Sequence, residues 1–194
     1  MTCVIACICE GSLAVIASDS AVSYASGFRR LTSQGKWWDM GNLIIGESGS
    51  DLALSRIRQK TLDTDDWGAL SDPYTFSRLV CAVQQDVRGH DGAEPLEAEL
   101  LHVGADASQP TLHVVGGDGG VTGPFEYTAV GHGAAIAMPI LDILLDTRRC
   151  KRKTVARVGN VVLETLALVA RYADSVSAPF HLKTFDPSEP YRSL

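Results

Sequence analysis

The chain lacks any apolar run approaching the roughly 18 residues that a transmembrane helix needs, and it lacks the lysine-led apolar segment of a signal peptide. Positive charge is also scarce, since 17 Lys and Arg against 23 Asp and Glu leave a formal net charge of −6 at pH 7. This balance argues against a surface that binds nucleic acid. We therefore expect a cytoplasmic protein that binds neither membrane nor nucleic acid.

Cysteine is sparse and follows no metal-binding pattern. The five cysteines include no C-x-x-C pair and no matching histidine spacing, so neither a zinc site nor another metal site is expected. Cys7 and Cys9 would point the same way along one strand, which is poor geometry for a disulfide. We interpret the cysteines as small buried side chains in a reducing compartment: Cys3, Cys7, Cys9, Cys81 and Cys150.

Length and composition fit one compact domain. The 194 residues are 45% hydrophobic and 21% charged, which is ordinary globular usage. We find no linker, internal repeat or low-complexity segment, so residues 1–194 are expected to form a single domain.

Short apolar runs predict strands at the start, in the middle and at the end of the chain. Residues 2–9 and 13–18 flank the turn Glu10-Gly11 and predict a β-hairpin, and residues 36–40 and 42–47 form a second pair around Gly41. Further strands are predicted at 98–105, 111–117 and 179–185.

Helical spacing predicts helices between and after these strands. Ser50 is a suitable N-cap for a helix that ends in basic residues. Further helices are predicted at 74–89, at 134–145 with a kink at Pro139, and at about 155–176. The order of strands, two helices, strands, two helices and a strand predicts an α+β sandwich with its helices outside a β core.

Thr2 is the first candidate catalytic residue. Methionine is commonly removed before a small residue, and the chain would then begin with a threonine that carries both a hydroxyl and a free α-amine. A hydroxyl is a poor nucleophile unless a base accepts its proton, and a terminal amine can accept a proton near neutral pH. Thr2 would therefore hold nucleophile and base on one residue.

Three further residues could complete a catalytic site around Thr2. Asp19 ends the second predicted strand and Lys36 begins the third. A lysine beside a carboxylate would stay charged and lower the pKa of a nearby amine or hydroxyl. Gly46 ends the run Leu-Ile-Ile-Gly, where its backbone N–H could stabilise an oxyanion, whereas Gly49 is more simply explained as turn chemistry.

With these residues in place, the sequence resembles the proteasome β-subunit and HslV group of N-terminal nucleophile (Ntn) hydrolases, and most of all uncharacterised bacterial and phage proteasome-like proteins. The resemblance rests on the initial Thr, on Asp19, Lys36 and the segment IIGESG, and on the segments YTAVGHGAAIAMPILD and ARYADSVSAPF. It implies a four-layer αββα sandwich and a threonine-type peptidase without cofactor or metal. It also implies a ring-like homo-oligomer that acts on peptides or proteins, with an unfoldase as a further partner.

By the same resemblance, Asp174 and Ser177 would support the terminal threonine by hydrogen bonding. The sequence departs from the β-subunit pattern where His132 replaces a serine and Ala178 replaces a glycine. Two alternatives therefore stay open: an inactive structural subunit of the same fold, and an amidase acting on small molecules.

Overall fold

The structure is a computed structural model that describes residues 2–23, 29–64, 66–91, 97–146 and 152–188. Met1 and Cys150, both of which enter the sequence interpretation, lie outside these residues. The strands, in chain order, are β1 (Val4–Cys9), β2 (Leu13–Ser18), β3 (Ala21–Ser23), β4 (Arg29–Leu31), β5 (Trp37–Asp39), β6 (Ile44–Gly49), β7 (Ala98–Asp106), β8 (Gln109–Gly116), β9 (Val121–Phe125), β10 (Tyr127–Val130) and β11 (His181–Phe185). The helices are α1 (Asp51–Leu62), α2 (Pro73–Asp91), α3 (Ala134–Asp146) and α4 (Val155–Tyr172).

Two antiparallel sheets form the centre of the protein. One sheet has the strand order β10-β1-β2-β11 and the other the order β5-β6-β7-β8-β9, while β3 and β4 form a short separate ribbon. The β1–β2 hairpin, with Val4 opposite Ser18, confirms the strand pair predicted from the first two apolar runs.

Alternation along the strands explains how the layers stack. Val4 and Ala6 of β1 pack between the two sheets, whereas Ile5 and Cys7 face α3 and α4. In the second sheet Ile44 faces the first sheet, and the residues on the opposite face pack against α1 and α2. The layers therefore run helix, sheet, sheet, helix, which confirms the predicted αββα arrangement.

Helix boundaries follow local capping chemistry. The Ser50 side chain accepts a hydrogen bond from the Ala53 N–H at 3.3 Å, which fixes the start of α1 as predicted. The expected extension of the last helix to Val176 is wrong, because α4 ends at Tyr172 and Ala173 is already extended. The following Asp and Ser are typical turn residues that release the chain toward β11.

Two histidines face each other between the second sheet and its helices. His102 on β7 is opposite His113 on β8, with ring centroids 6.3 Å apart. His102 is fully buried and its Nε2 lies 2.9 Å from the Leu70 carbonyl oxygen, while the Nδ1 atoms of both rings have no partner in the part of the chain that the structure describes. Burial lowers the pKa of His102 to about 4 and also lowers the pKa of His113.

We expect this pair to make the fold acid-sensitive. His102 titrates near 6.5 when unfolded and near 4 when folded, so the folded state binds fewer protons between these values and loses stability as the pH falls. The loss attributable to His102 should be about 2 kcal/mol between pH 7 and pH 5. Urea unfolding of the wild type and of His102→Gln at both pH values measures it. An equal pH dependence in the two proteins would contradict this assignment.

Candidate active site

The hairpin of β1 and β2 brings Thr2 and Asp19 to the same end of the molecule. Thr2 lies just before β1 and Asp19 just after β2, and the antiparallel register continues past both strands. The Asp19 N–H donates to the Cys3 carbonyl at 3.2 Å, and the Cys3 N–H donates to Asp19 Oδ1 at 2.9 Å. Lys36 enters from the other sheet, immediately before β5. The site therefore forms where the end of the central β1–β2 hairpin meets the start of β5 in the other sheet.

The Lys36 ammonium group joins the candidate nucleophile to the carboxylate. Its Nζ lies 2.9 Å from Thr2 Oγ1 and 2.9 Å from Asp19 Oδ1, and it also donates to the Ala21 carbonyl. These three acceptors match the three N–H donors of an ammonium group. Thr2, Asp19 and Lys36 are all buried. The structure thus brings together three of the residues that the sequence singled out.

Asp19 is held by more than the lysine. Its Oδ1 accepts from the Cys3 N–H and its Oδ2 accepts from the Ala21 N–H at 3.0 Å. Two backbone donors and one ammonium therefore surround a carboxylate that is fully buried. Burial of a carboxylate is costly unless it is paired and hydrogen-bonded, and here both oxygens of Asp19 accept hydrogen bonds.

Burial and charge act in opposite directions on Lys36. Desolvation lowers the pKa of the ammonium group, while the negative charge of Asp19 counters this and the more distant Glu47 adds to the effect of Asp19. The Cys3 thiol next to Thr2 behaves differently, because burial and then Asp19 raise its pKa to about 12. A thiol with so high a pKa is protonated at neutral pH, so Cys3 is a poor candidate nucleophile.

Two backbone N–H groups donate hydrogen bonds that support this site and that could not be predicted from the sequence. The Lys36 N–H donates to Ser18 Oγ at 2.9 Å, which ties the start of β5 to the end of β2. The Gly133 N–H donates to the Thr2 carbonyl at 3.2 Å. Ser18 looks like an ordinary strand-end residue in the sequence. Gly133 lies in the segment YTAVGHGAAIAMPILD that carries the family resemblance, but its hydrogen bond to Thr2 is seen only in the fold.

Gly46 is buried in the middle of β6 and is paired on both sides, with Trp37 on β5 and Leu101 on β7. The Glu47 N–H donates to the Lys36 carbonyl, toward β5. Because successive amides along a strand point to opposite edges, the Gly46 N–H points toward β7, away from Lys36.

Gly49 has the opposite amide direction. It lies two residues after Glu47, so its N–H points to the same edge as the Glu47 N–H, at a level that the chain passes before β5 begins at Trp37. Its φ of +144° and its place directly before the α1 N-cap explain why a glycine is present. The sequence marks Gly49 as a turn glycine. Which of Gly46 and Gly49 turns its N–H toward the edge of β6 that faces Lys36 depends on the sheet register.

Asp174 and Ser177 differ in burial and in their contacts with the site. Asp174 is exposed in the turn after α4 and forms no ion pair within the described ranges. Ser177 is half-buried, and its carbonyl accepts from the Ser20 N–H at 3.2 Å, one residue beyond Asp19. His132 is exposed between two glycines of the loop that contacts Thr2. The supporting roles expected for Asp174 and Ser177 stay predictions.

The described residues contain neither a metal-binding cluster nor a membrane-spanning helix. Across the described residues, no three or more His, Cys, Asp or Glu side chains come together in a way that could hold a metal ion. No helix in the same part of the chain is both long enough and apolar enough to cross a bilayer.

No protein-family model matches the sequence, and no curated protein does either. The fold does match solved structures. An Anbu (Gly-1) mutant from Hyphomicrobium sp. strain MC1 is similar over 100% of this chain and 85% of its own, with a TM-score of 0.76 and 15% identity. HslV from Trypanosoma brucei matches over 94% of this chain and 99% of its own, with a TM-score of 0.69 and 16% identity.

A third structure is BPH from Thiobacillus denitrificans in complex with epoxomicin. It covers 95% of this chain and 99% of its own, with a TM-score of 0.72 and 13% identity. Together with the two-sheet architecture, these similarities show that the chain has the proteasome/HslV-type Ntn hydrolase fold. At such identities the likeness concerns the fold.

We expect Asp19→Ala to destabilise the protein strongly. The substitution leaves the buried Lys36 ammonium without its counter-ion and removes the acceptor of two buried N–H groups, which should cost about 3–5 kcal/mol. Urea unfolding measures the loss, and Asp19→Ala with Lys36→Met should recover part of it. The matched control is Asp39→Ala, which breaks the more exposed pair with Lys183 and should cost about 1 kcal/mol or less. Equal losses for the two aspartates would contradict the buried pair.

Proposed function

We propose that this chain is a threonine-type hydrolase of amide bonds, a peptidase in which Thr2 becomes the N-terminal nucleophile after removal of Met1. One observation carries the proposal above the others: the buried Lys36 ammonium, itself held by Asp19, donates to Thr2 Oγ1 at 2.9 Å. A positive charge beside a hydroxyl oxygen lowers the free energy of the negative charge that develops there during attack.

The first half of the proposed reaction forms an ester. The Thr2 hydroxyl attacks the substrate carbonyl carbon while its proton passes to the free α-amine of the same residue, directly or through one water. The protonated amine then gives that proton to the leaving nitrogen as the amide bond breaks. The product is an ester between Thr2 Oγ1 and the acyl part of the substrate. Lys36 remains charged throughout and lowers the pKa of the Thr2 hydroxyl and of the Thr2 α-amine.

The second half of the reaction hydrolyses the ester. The α-amine accepts a proton from water, the hydroxide attacks the ester carbonyl, and Thr2 Oγ1 leaves with the proton restored. Both tetrahedral intermediates need a donor for their oxyanion. Our sequence interpretation gave this role to Gly46, and the amide directions along β6 favour the Gly49 N–H instead.

We propose peptides or unfolded proteins as substrates and a ring-like homo-oligomer as the working form in the cytoplasm. The similarity to HslV from T. brucei supports this, as do exposed apolar side chains, which lie on the helices of both outer layers. Ile143 on α3 is 63% exposed, and Tyr172 at the end of α4 is 75% exposed. An unfoldase partner belongs to the same proposal, because a chambered peptidase needs its protein substrates unfolded.

An inactive structural subunit is the second candidate. The exposure of Thr2 is only 9%, and His132 and Ala178 depart from the β-subunit pattern. This candidate requires that Met1 is retained or that Thr2 does not react.

The small-molecule amidase is a further candidate. It differs from the peptidase in working without a chamber.

Intact-mass spectrometry before and after incubation with a threonine-directed β-lactone tests the chemistry. We expect the purified chain to lack Met1 and to gain one lactone mass, because the unblocked Thr2 hydroxyl opens the lactone ring to an ester. Epoxomicin, which is bound in the T. denitrificans complex, is a second probe. Thr2→Ala should abolish labelling, and Thr2→Ser, which keeps the hydroxyl and amine, should retain it. A chain that keeps Met1 and takes up neither probe would overturn the enzyme proposal.

Light scattering tests the assembly. We expect a particle several times the mass of one chain, and Ile143→Asp should reduce that mass because it places a charge in an apolar contact. Asp142→Asn, next to it on α3, is the matched control and should leave the mass unchanged. A monomeric wild type that still reacts with the lactone would favour the small-molecule amidase.

A further inference from the structure

Glu99 makes an unusual contact at the edge of the site. It lies on β7, directly opposite Ser48 of β6, and its Oε2 accepts a hydrogen bond from the Gly131 N–H at 2.7 Å. Gly131 belongs to the loop between β10 and α3, which is attached to the other sheet. The contact therefore joins the two sheets at the end of the sandwich where Thr2 lies.

The loop that Glu99 holds is in direct contact with the backbone of Thr2. A Cβ atom at Gly131 would lie 2.4 Å from the Thr2 carbonyl oxygen and 2.9 Å from Ser48 Oγ. Two residues later the Gly133 N–H donates to that same Thr2 carbonyl at 3.2 Å. Gly131 also has a φ of +91°, a conformation that a residue with a side chain rarely adopts. The loop thus fits closely over Thr2 and leaves it little room to shift.

We propose that Glu99 is a positioning residue for the Thr2 nucleophile. It does not touch Thr2, and it acts by fixing the Gly131–Gly133 loop that binds the Thr2 carbonyl. The hydrogen bond is charge-assisted, which makes it shorter and stronger than one between neutral groups. Without it, the loop would lose a hydrogen bond to the second sheet, and the Thr2 hydroxyl would spend less time at its 2.9 Å distance from Lys36 Nζ.

The expected effect of Glu99 on the labelling rate rests on the proposed function. Its expected effect on the loop rests on the geometry alone. Small displacements of a reacting group can cost as much as about 100-fold in rate. We expect Glu99→Ala to slow β-lactone labelling of Thr2 by about 10-fold or more. Glu99→Gln should recover most of the rate, because its amide oxygen still accepts from Gly131 N–H.

Asp106→Ala is the matched control, since Asp106 is an exposed carboxylate at the opposite end of the same strand. It should leave the labelling rate unchanged. The proposal is overturned if Glu99→Ala labels at the wild-type rate, or if Glu99→Gln is as slow as Glu99→Ala.

A second measurement does not depend on activity. Amide hydrogen exchange followed by NMR should be faster at Gly131 and Gly133 in Glu99→Ala than in wild type, and close to wild type in Glu99→Gln. Amides of β1 should be unchanged, which separates a local effect from general unfolding. If wild type does not react with the lactone, the enzyme proposal fails while accelerated exchange still supports the positioning role. Unchanged exchange at both glycines in Glu99→Ala overturns the positioning role.

Discussion

The buried ion pair between Lys36 and Asp19 is the interaction on which the site depends. It joins the first strand of one sheet to the central hairpin of the other, and it does so where two charged groups are removed from water. Such a pair persists only if every donor and acceptor is satisfied, and here each carboxylate oxygen and each ammonium hydrogen has a partner. Thr2 Oγ1 is one of those partners. The Thr2 hydroxyl is therefore part of the network that stabilises the two charges, and its position follows from their hydrogen-bonding requirements.

The same charges act differently on two neighbouring side chains that could react as nucleophiles. Thr2 and Cys3 are adjacent in sequence, and a free thiolate would be the stronger nucleophile. Cys3 faces the helices and its pKa is raised to about 12, whereas the Thr2 hydroxyl faces the lysine. The two consecutive side chains therefore point in opposite directions, and of the two only the Thr2 hydroxyl contacts the Lys36 ammonium group. Geometry, and not intrinsic reactivity, makes Thr2 the candidate nucleophile.

Much of the fold and the centre of the site could be predicted from the sequence, because both depend on local patterns. Apolar runs and turn residues located the β1–β2 hairpin, and the chemistry of Thr2, Asp19 and Lys36 suggested their proximity. The residues that could not be predicted depend on register and on contacts between distant segments. The direction of the Gly46 and Gly49 amides follows from which strand lies on which side of β6, and no composition pattern reports that. Glu99 lies in an unremarkable strand sequence, and its role depends on a loop more than 30 residues away.

The two-sided burial of β1 limits how the start of the chain can vary. Ile5 and Cys7 fill the space under the helices, while Val4 and Ala6 fill the space between the sheets. Inserting or deleting one residue in this strand would turn every following side chain to the wrong layer. If the residues after the change kept their places instead, the Thr2 hydroxyl would turn away from the Lys36 ammonium group. The length of this strand is therefore fixed by the layers on both sides, and changes in chain length are better accommodated at the hairpin turn after Cys9 than anywhere between that turn and Thr2.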